Sequence, residues 1–332
     1  MKRCSVCWIV LYAIVLFKFP ASMAVESPSE RRGHSGQGGA RLRFPEEWGT
    51  IAKVEGFQAS MFFGPGKQLD FCEAISRRDT SKIEKMLKEG FDLNQAGKFG
   101  VTPLMWAYIV GDLPIFKVLV QHGADVDKKL ASDCRDGLRT VHFMPFLPGD
   151  TVLRLALRHR KSDYFLAAFP QCNDPFDLDA DGQTLLHSYF SPPGMNSMEA
   201  LDALLAAGVE LDRRHRLRET ACHEGVKHSR VAAVLKILKA GASPDIPDRD
   251  GKTVREIAIQ KLDYYKKRKL AAPSMDVYFI ASDLVKEYTE LVEWLDQHPV
   301  GTIGTEKVEE LQGANHANES KPQPPTGGNE LK

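Results

Sequence analysis

Gly100-Val101-Thr102-Pro103-Leu104-Met105-Trp106-Ala107, followed by Gly111-Asp112 and by Lys117-Val118-Leu119-Val120-Gln121-His122-Gly123-Ala124-Asp125-Val126, decides the fold. A hydroxyl at Thr102, ahead of an apolar run, can accept a bond from an unpaired amide of a helix's first turn. Pro103 then falls at the first helical position, where no amide is needed. Val118, Leu119 and Val120 give a second helix its apolar side, and Gly123 ends it, because glycine takes the left-handed conformation without penalty. The stretch predicts two short helices joined by a tight turn, a unit too small to bury its own apolar face.

The same letters return at a fixed distance. Gly90 recurs as Gly123, Gly208 as Gly241, Thr151 as Thr184 and Thr220 as Thr253, each 33 residues on. Further copies are Gly182-Gln183-Thr184-Leu185-Leu186-His187 with Ala203-Leu204-Leu205-Ala206-Ala207-Gly208-Val209, and Thr220-Ala221-Cys222-His223 with Val234-Leu235-Lys236-Ile237-Leu238-Lys239-Ala240-Gly241-Ala242. This period with these letters resembles the ankyrin family from about Leu69 to Ile259. The resemblance implies an all-α solenoid of about five to six helix-turn-helix units with hairpin loops, held together by stacking of neighbours.

The departures from uniformity set the expected organisation. The copy from Thr151 lacks the Gly-Ala ending and runs into Phe169-Pro170-Gln171-Cys172, so it is a degenerate central repeat. Thr102 and Thr151 lie 49 residues apart instead of 33, which places an insertion at 127–149, and Ser191-Pro192-Pro193-Gly194 is a shorter one. Ala74, Ile75, Ile83, Met86 and Leu87 mark an amino-terminal cap. Val277, Ile280, Leu284, Tyr288, Leu291 and Leu295 recur every three or four residues, predicting a long amphipathic helix over the last repeat that Pro299 stops. The solenoid is expected over 67–260, with capping helices over 261–300.

The ends read differently. Lys2 and Arg3, an apolar run from Val6 to Phe17, and Ser22-Met23-Ala24 read as a secretory signal over 1–24. The run stops at Lys18, short of the roughly 20 residues a bilayer core requires. Export is therefore expected, to the periplasm in a Gram-negative host, with membrane contact only through an uncleaved signal. Residues 25–66 are expected to be a flexible leader and extension, and 301–332 a disordered tail. In an oxidising compartment Cys134 and Cys172, which flank one repeat in irregular stretches, are a possible disulfide closing a loop of about 40 residues.

Catalytic and metal-binding patterns fail on composition or spacing. The chain has 332 residues, with 44 Lys+Arg against 44 Asp+Glu, and this balance argues against a nucleic-acid binder. His223 and His228 are five apart, where metal binding on one helical face needs four. His223 is better explained, with His187, as a repeat histidine that satisfies backbone groups between adjacent turns. Gly64-Pro65-Gly66-Lys67 is a turn and not a phosphate loop. No nucleophile elbow, cysteine-pair zinc pattern or calcium loop is present. No enzyme and no cofactor is expected; an enzyme built in the insertions would have to use residues such as Asp133, Asp136 and His142.

Recognition of a protein partner remains. In the proteins this chain resembles, hairpin tips and the exposed side of the first helix hold the partner. Here these positions are Lys98, Phe99, Val101, Ile109, Arg158, His159, Arg216, Leu217, Lys227, His228, Arg249, Lys252 and Lys261. The last two copies carry five bases (Arg216, Lys227, Arg249, Lys252, Lys261) against Glu219 and Asp250, which would suit an acidic partner surface. The cap Leu69-Asp70-Phe71-Cys72-Glu73-Ala74-Ile75, the stretch Gly97-Lys98-Phe99-Gly100-Val101-Thr102-Pro103-Leu104-Met105-Trp106-Ala107 and the closing Leu291-Val292-Glu293-Trp294-Leu295 are also similar to secreted bacterial ankyrin proteins. That resemblance implies an immunity protein against a toxic effector such as a lipase; the alternative is a periplasmic scaffold without a single target. A monomer is expected.

Overall fold

The computed structural model describes residues 56–131, 146–191 and 196–301. Asp133, Asp136, His142, Cys134, the signal and the tail lie outside the described residues, as does most of the 127–149 insertion.

Thirteen α-helices and no β-strand occur among the described residues. They are α1 (Ala59–Phe62), α2 (Lys67–Arg77), α3 (Thr80–Lys88), α4 (Pro103–Val110), α5 (Leu113–Gln121), α6 (Val152–Arg158) and α7 (Ser162–Ala168). There follow α8 (Leu185–Phe190), α9 (Met198–Ala206), α10 (Ala221–Lys227), α11 (Val231–Lys239), α12 (Val254–Leu270) and α13 (Met275–Gln297). After α1 the helices pair in sequence, and each pair packs on the next, giving an all-α repeat solenoid.

The local chemistry follows the letters. Thr102, Thr151, Thr184 and Thr253 each accept, through the side-chain oxygen, the amide three residues on, at 3.2–3.4 Å. Gly90, Gly123, Gly208 and Gly241 sit at positive φ after the second helices. His187 binds Thr184 through Nδ1 (2.9 Å to Oγ1) and the Glu219 carbonyl through Nε2 (3.2 Å). His223 repeats this one unit later with Thr220 and the Lys252 carbonyl. Both rings therefore stitch one repeat to the next turn. Burial also pushes His187 down to about 4, so it is neutral at physiological pH.

One core runs through the stack. Every residue of α4 from Pro103 to Ile109 is buried, because the helix is apolar on all sides and is packed from all sides. Trp106 donates from Nε1 to the Cys72 carbonyl (2.9 Å) and reaches Ser76 Oγ (3.0 Å), fastening the amino-terminal cap to the first full repeat.

Three features depart from the expectation. The extension before residue 67 contributes to the core: Phe62 and Phe63 are buried with their rings against Trp106, and a Cβ on Gly97 would lie 2.5 Å from the Phe62 carbonyl. No boundary falls at 260, since α12 runs unbroken from Val254 to Leu270 and pairs with α13. Ile280, predicted on the inner face of α13, is exposed, whereas Tyr288, Leu291 and Leu295 are buried as expected. Cys172 is a free thiol whose Sγ meets Asp127 Oδ1 (3.2 Å); Cys134, its possible disulfide partner, lies outside the described residues.

The degenerate repeat is held by a side chain that a repeat pattern would not place there. Arg154, within α6, is fully buried and donates to the Gln183 carbonyl (2.9 Å) and the Asp177 carbonyl. It thereby supplies the link to the next turn that His187 and His223 supply elsewhere. At the base of the insertion, the Leu130 amide donates to the Asp150 carbonyl (2.9 Å) and the Gly149 amide to the Leu130 carbonyl (3.0 Å), which closes the loop at its neck.

Candidate interaction surface

The hairpin turns ahead of α8, α10 and α12 share one construction. Asp179 Oδ1 accepts the amides of Asp181 (2.9 Å) and Gln183 (2.8 Å), and Asp248 Oδ1 accepts those of Asp250 and Lys252 (both 2.9 Å). His215 occupies the equivalent place, and its Nδ1 accepts the Leu217 amide at 3.0 Å. Two residues before each capping threonine the backbone is left-handed: Gly100, Gly149, Gly182 and Gly251, with Arg218 in the fourth position of the series. Adjacent tips are joined through the backbone, Ala131 N to Phe99 O at 2.8 Å and Arg216 N to Asp181 O at 2.9 Å. The result is a ledge with a fixed backbone and side chains free to point outward.

Two bulky side chains on this ledge stand in the left-handed region, Phe99 at φ 60° and Arg218 at φ 61°. Non-glycine residues there carry a cost of order 1–3 kcal/mol and concentrate where a surface has work to do. Phe99 is half-buried, with its ring 6.4 Å from that of Phe62. Lys98 beside it is exposed, Leu217 is 42% exposed, and Arg249 and Lys252 are exposed. The Arg216 side chain is 71% exposed while touching Asp181 at 3.3 Å.

The structure therefore brings Lys98, Phe99, Arg216, Leu217, Arg249 and Lys252 onto the turn ledge. It withdraws others. Val101 and Ile109 are core residues, because the helix they flank or belong to is enclosed on every side. His159 is buried against Phe146 and Tyr108, its Nδ1 2.9 Å from the Tyr108 hydroxyl, and burial lowers it to about 3. The Tyr108 hydroxyl donates to the Leu155 carbonyl, so His159 carries its proton on Nδ1 and turns a bare Nε2 toward apolar surroundings. Arg158 is paired with the fully buried Asp150. Burial raises Asp150 to about 6 against the pull of Arg158 and the Leu147 amide, leaving the pair ionised at neutral pH.

The expected basic excess is largely compensated. Lys227 lies between Glu219 (3.0 Å) and Asp248 (3.1 Å), Lys261 is half-buried on the Lys227 carbonyl (2.9 Å), and His228 is 3.3 Å from Glu224. Asp181, Glu224 and Asp248 had no place in the sequence tally, which counted only Glu219 and Asp250.

His215, Glu219 and Glu224 bring three donor atoms within 4.8 Å of one another, the spacing of a metal site. The turn chemistry opposes that use. Nδ1 of His215 accepts a backbone amide, so the neutral ring holds its proton on Nε2, the atom that faces Glu224 at 3.4 Å. A metal-bound imidazole needs the reverse arrangement. Burial resists ionisation of Glu224, but hydrogen bonding from His228 and His215 outweighs it and holds the carboxyl below its usual range. The cluster is a polar network under the ledge. The cleft among Tyr189, Asn196, Arg230 and Glu287 holds ≈ 70 Å³, far below the roughly 300 Å³ of a small-molecule site.

A scaffold of stacked helix pairs with tip-linked turns defines a repeat solenoid built to bind along its length. The chain belongs to the ankyrin-repeat family. The ankyrin repeat family model matches residues 99–129. The human Notch-regulated ankyrin repeat-containing protein is 34% identical over 86 residues, which is 25% of this chain and 72% of that one. Potassium channel AKT1 of rice is 34% identical over 58 residues, so that 18% of this chain spans only 6% of the channel. Among solved structures, an ankyrin repeat domain from Acinetobacter baumannii is similar at 20% identity and a TM-score of 0.47, covering 66% of this chain and 97% of that one. A chain of the complex between a predatory endopeptidase of Bdellovibrio bacteriovorus and an immunity protein is similar at 20% identity and a TM-score of 0.43, covering 68% and 98%.

Proposed function

We propose that this chain is an exported, non-enzymatic protein-binding module whose turn ledge grips one protein partner, and that the partner is a toxic effector held inactive by it. The observation that carries the reading is the ledge itself: Phe99, Arg216 and Leu217 sit on turns whose backbones are fixed by internal bonds, so little ordering entropy is left to lose on binding. An aromatic, an arginine and an exposed leucine are a suitable anchor set, since aromatics and arginine supply most of the energy at protein interfaces. Arg249 and Lys252 add cationic points for an acidic rim, and a rim of that kind makes association sensitive to salt. Export rests on Lys2, Arg3, the Val6–Phe17 run and Ser22-Met23-Ala24.

The test is expression of the tagged chain in a Gram-negative host, mass determination of its amino terminus, and affinity capture with the unaltered chain and with a Phe99→Ala/Arg216→Ala/Leu217→Ala variant. A terminus at Val25 and one stoichiometric partner, lost in the triple variant, support the proposal. A retained terminus at Met1, or a broad weak set of proteins captured equally by both forms, contradicts it.

A further inference from the structure

The ledge accounts for one end of each repeat unit, and a different part of the molecule is left unexplained. Six of the eleven large apolar side chains left exposed among the described residues fall within seventeen positions: Tyr264, Leu270, Met275, Tyr278, Phe279 and Ile280. They lie at the turn between α12 and α13. Ala258 is the last buried residue of α12 and Ala281 the first of α13, and nothing between them is buried. Attachment to the solenoid ends near Tyr265, whose hydroxyl is 2.9 Å from Ser229 Oγ and whose ring stacks on Tyr288 at 5.6 Å. Leu270, at the apex, is 89% exposed.

The same segment carries a charge that the chain as a whole lacks. From Tyr264 to Ile280 the bases Lys266, Lys267, Arg268 and Lys269 face one acid, Asp276, while the full sequence balances 44 against 44. Lys267 shares its charge with Asp263 at 2.6 Å, Arg268 donates to the Tyr264 hydroxyl at 2.8 Å, and the Lys269 ammonium lies 5.2 Å from the Tyr278 ring. Lysine and tyrosine side chains at an apolar tip can bury their stems and rings while keeping charge and hydroxyl in a polar layer.

We propose that this hairpin tip docks on an anionic lipid surface, with Leu270, Met275, Phe279 and Ile280 entering the acyl boundary and Lys266 to Lys269 meeting lipid phosphates. A bilayer suits this tip better than a protein groove does. The apex of a helical hairpin is convex, apolar on more than one side and ringed by cations, which fits a soft surface that closes around it. No described helix is long and apolar enough to cross a membrane, so the mode is interfacial. Each base near an anionic surface strengthens binding by roughly fivefold, and the effect fades within a Debye length.

The experiment uses the full chain with vesicles of phosphatidylethanolamine containing phosphatidylglycerol, and with neutral phosphatidylcholine vesicles. Hydrogen exchange over 264–280 is read alongside co-sedimentation, so that an apolar amino terminus cannot mask the tip. Slowed exchange at 264–280 with the anionic vesicles alone is expected, reversed by high salt. Exchange there should return to the vesicle-free rate in Leu270→Asp/Phe279→Asp and in Lys266→Glu/Lys269→Glu, whose circular dichroism should be unchanged because these side chains are exposed or half-exposed. Unaltered exchange with anionic vesicles, equal slowing with neutral ones, or slowing that persists in both variants overturns the proposal. So does concentration-dependent protection without lipid, which would make the tip a contact between two copies of the chain. The Phe99→Ala/Arg216→Ala/Leu217→Ala variant should protect like the unaltered chain, which keeps this test separate from that of the ledge.

Discussion

Gly225 lies inside α10, where glycine costs helix stability, and its presence is set by two neighbours. A Cβ there would stand 2.4 Å from Val234 Cγ2 and 2.8 Å from Phe190 Cε1. Gly225→Ala should therefore destabilise the chain by about 1–3 kcal/mol through overpacking, against the gain usual for this exchange in an open helix; urea denaturation reads the sign. Protonation gives a second prediction at this scale. Burial lowers His187 to about 4 and His159 to about 3 from an ordinary 6.5. Below pH 6.5 the unfolded chain takes up protons that the folded chain refuses, so stability falls on acidification toward pH 4, by about 3 kcal/mol for His187 alone. Asp150, raised to about 6, opposes this between pH 6 and its ordinary value, because the folded state binds that proton more tightly. Denaturation midpoints between pH 7 and 4 should decline, with a shallower decline in His187→Gln; a flat profile would mean these rings are not buried neutral.

At the scale of elements, the closing helix is latched by few groups. Arg255 on α12 pairs with Asp245 (3.0 Å) and donates to the Leu295 (2.6 Å) and His298 (2.7 Å) carbonyls at the carboxyl end of α13, where the Leu295 carbonyl also accepts the His298 amide (3.1 Å). Tyr288 donates to the Val226 carbonyl at 2.6 Å. Arg255→Ala should cost about 2–3 kcal/mol, the loss of charge-assisted bonds, and hydrogen exchange over 285–298 should quicken before that of the inner repeats. Arg154 links the degenerate repeat to its neighbour in the same spirit. Arg154→Ala removes the donor to the Asp177 carbonyl and one of two donors at the Gln183 carbonyl, while Lys129 keeps the Asp177 carboxylate paired, and should cost roughly 2–3 kcal/mol in denaturant, more than a surface arginine does.

Across the whole molecule, the features legible in the sequence were those that local backbone chemistry demands at every repeat. Thr102, Thr151, Thr184, Thr220 and Thr253 had to cap helices, and Gly90, Gly123, Gly208 and Gly241 had to end them, so the period announced the fold. The repeat histidines were legible for the same reason. Features that arise between distant segments were not: Phe62 and Phe63 enter the core only because Gly97 lets them approach Trp106, and Arg154 is buried only because the 177–183 turn meets it. The ledge was half legible. Turn positions gave Phe99, Arg216 and Leu217, while Val101 and Ile109 were misplaced although the unbroken apolar run Leu104 to Val110 signals a helix enclosed all round. Charge was misread because Asp181 and Asp248 reach Arg216 and Lys227 from neighbouring turns, and Glu224 meets His228 at the end of α10.

On the proposed reading the turn ledge, and not a pocket or a helix face, holds the partner. Titration calorimetry between the captured partner and the chain, unaltered and as Phe99→Ala/Arg216→Ala/Leu217→Ala, is the deciding measurement. One-to-one binding weakened at least about a hundredfold by the triple change, the loss of two anchor residues' worth of interface energy, is the predicted result. Equal affinity of the two forms, with folding intact, would contradict it.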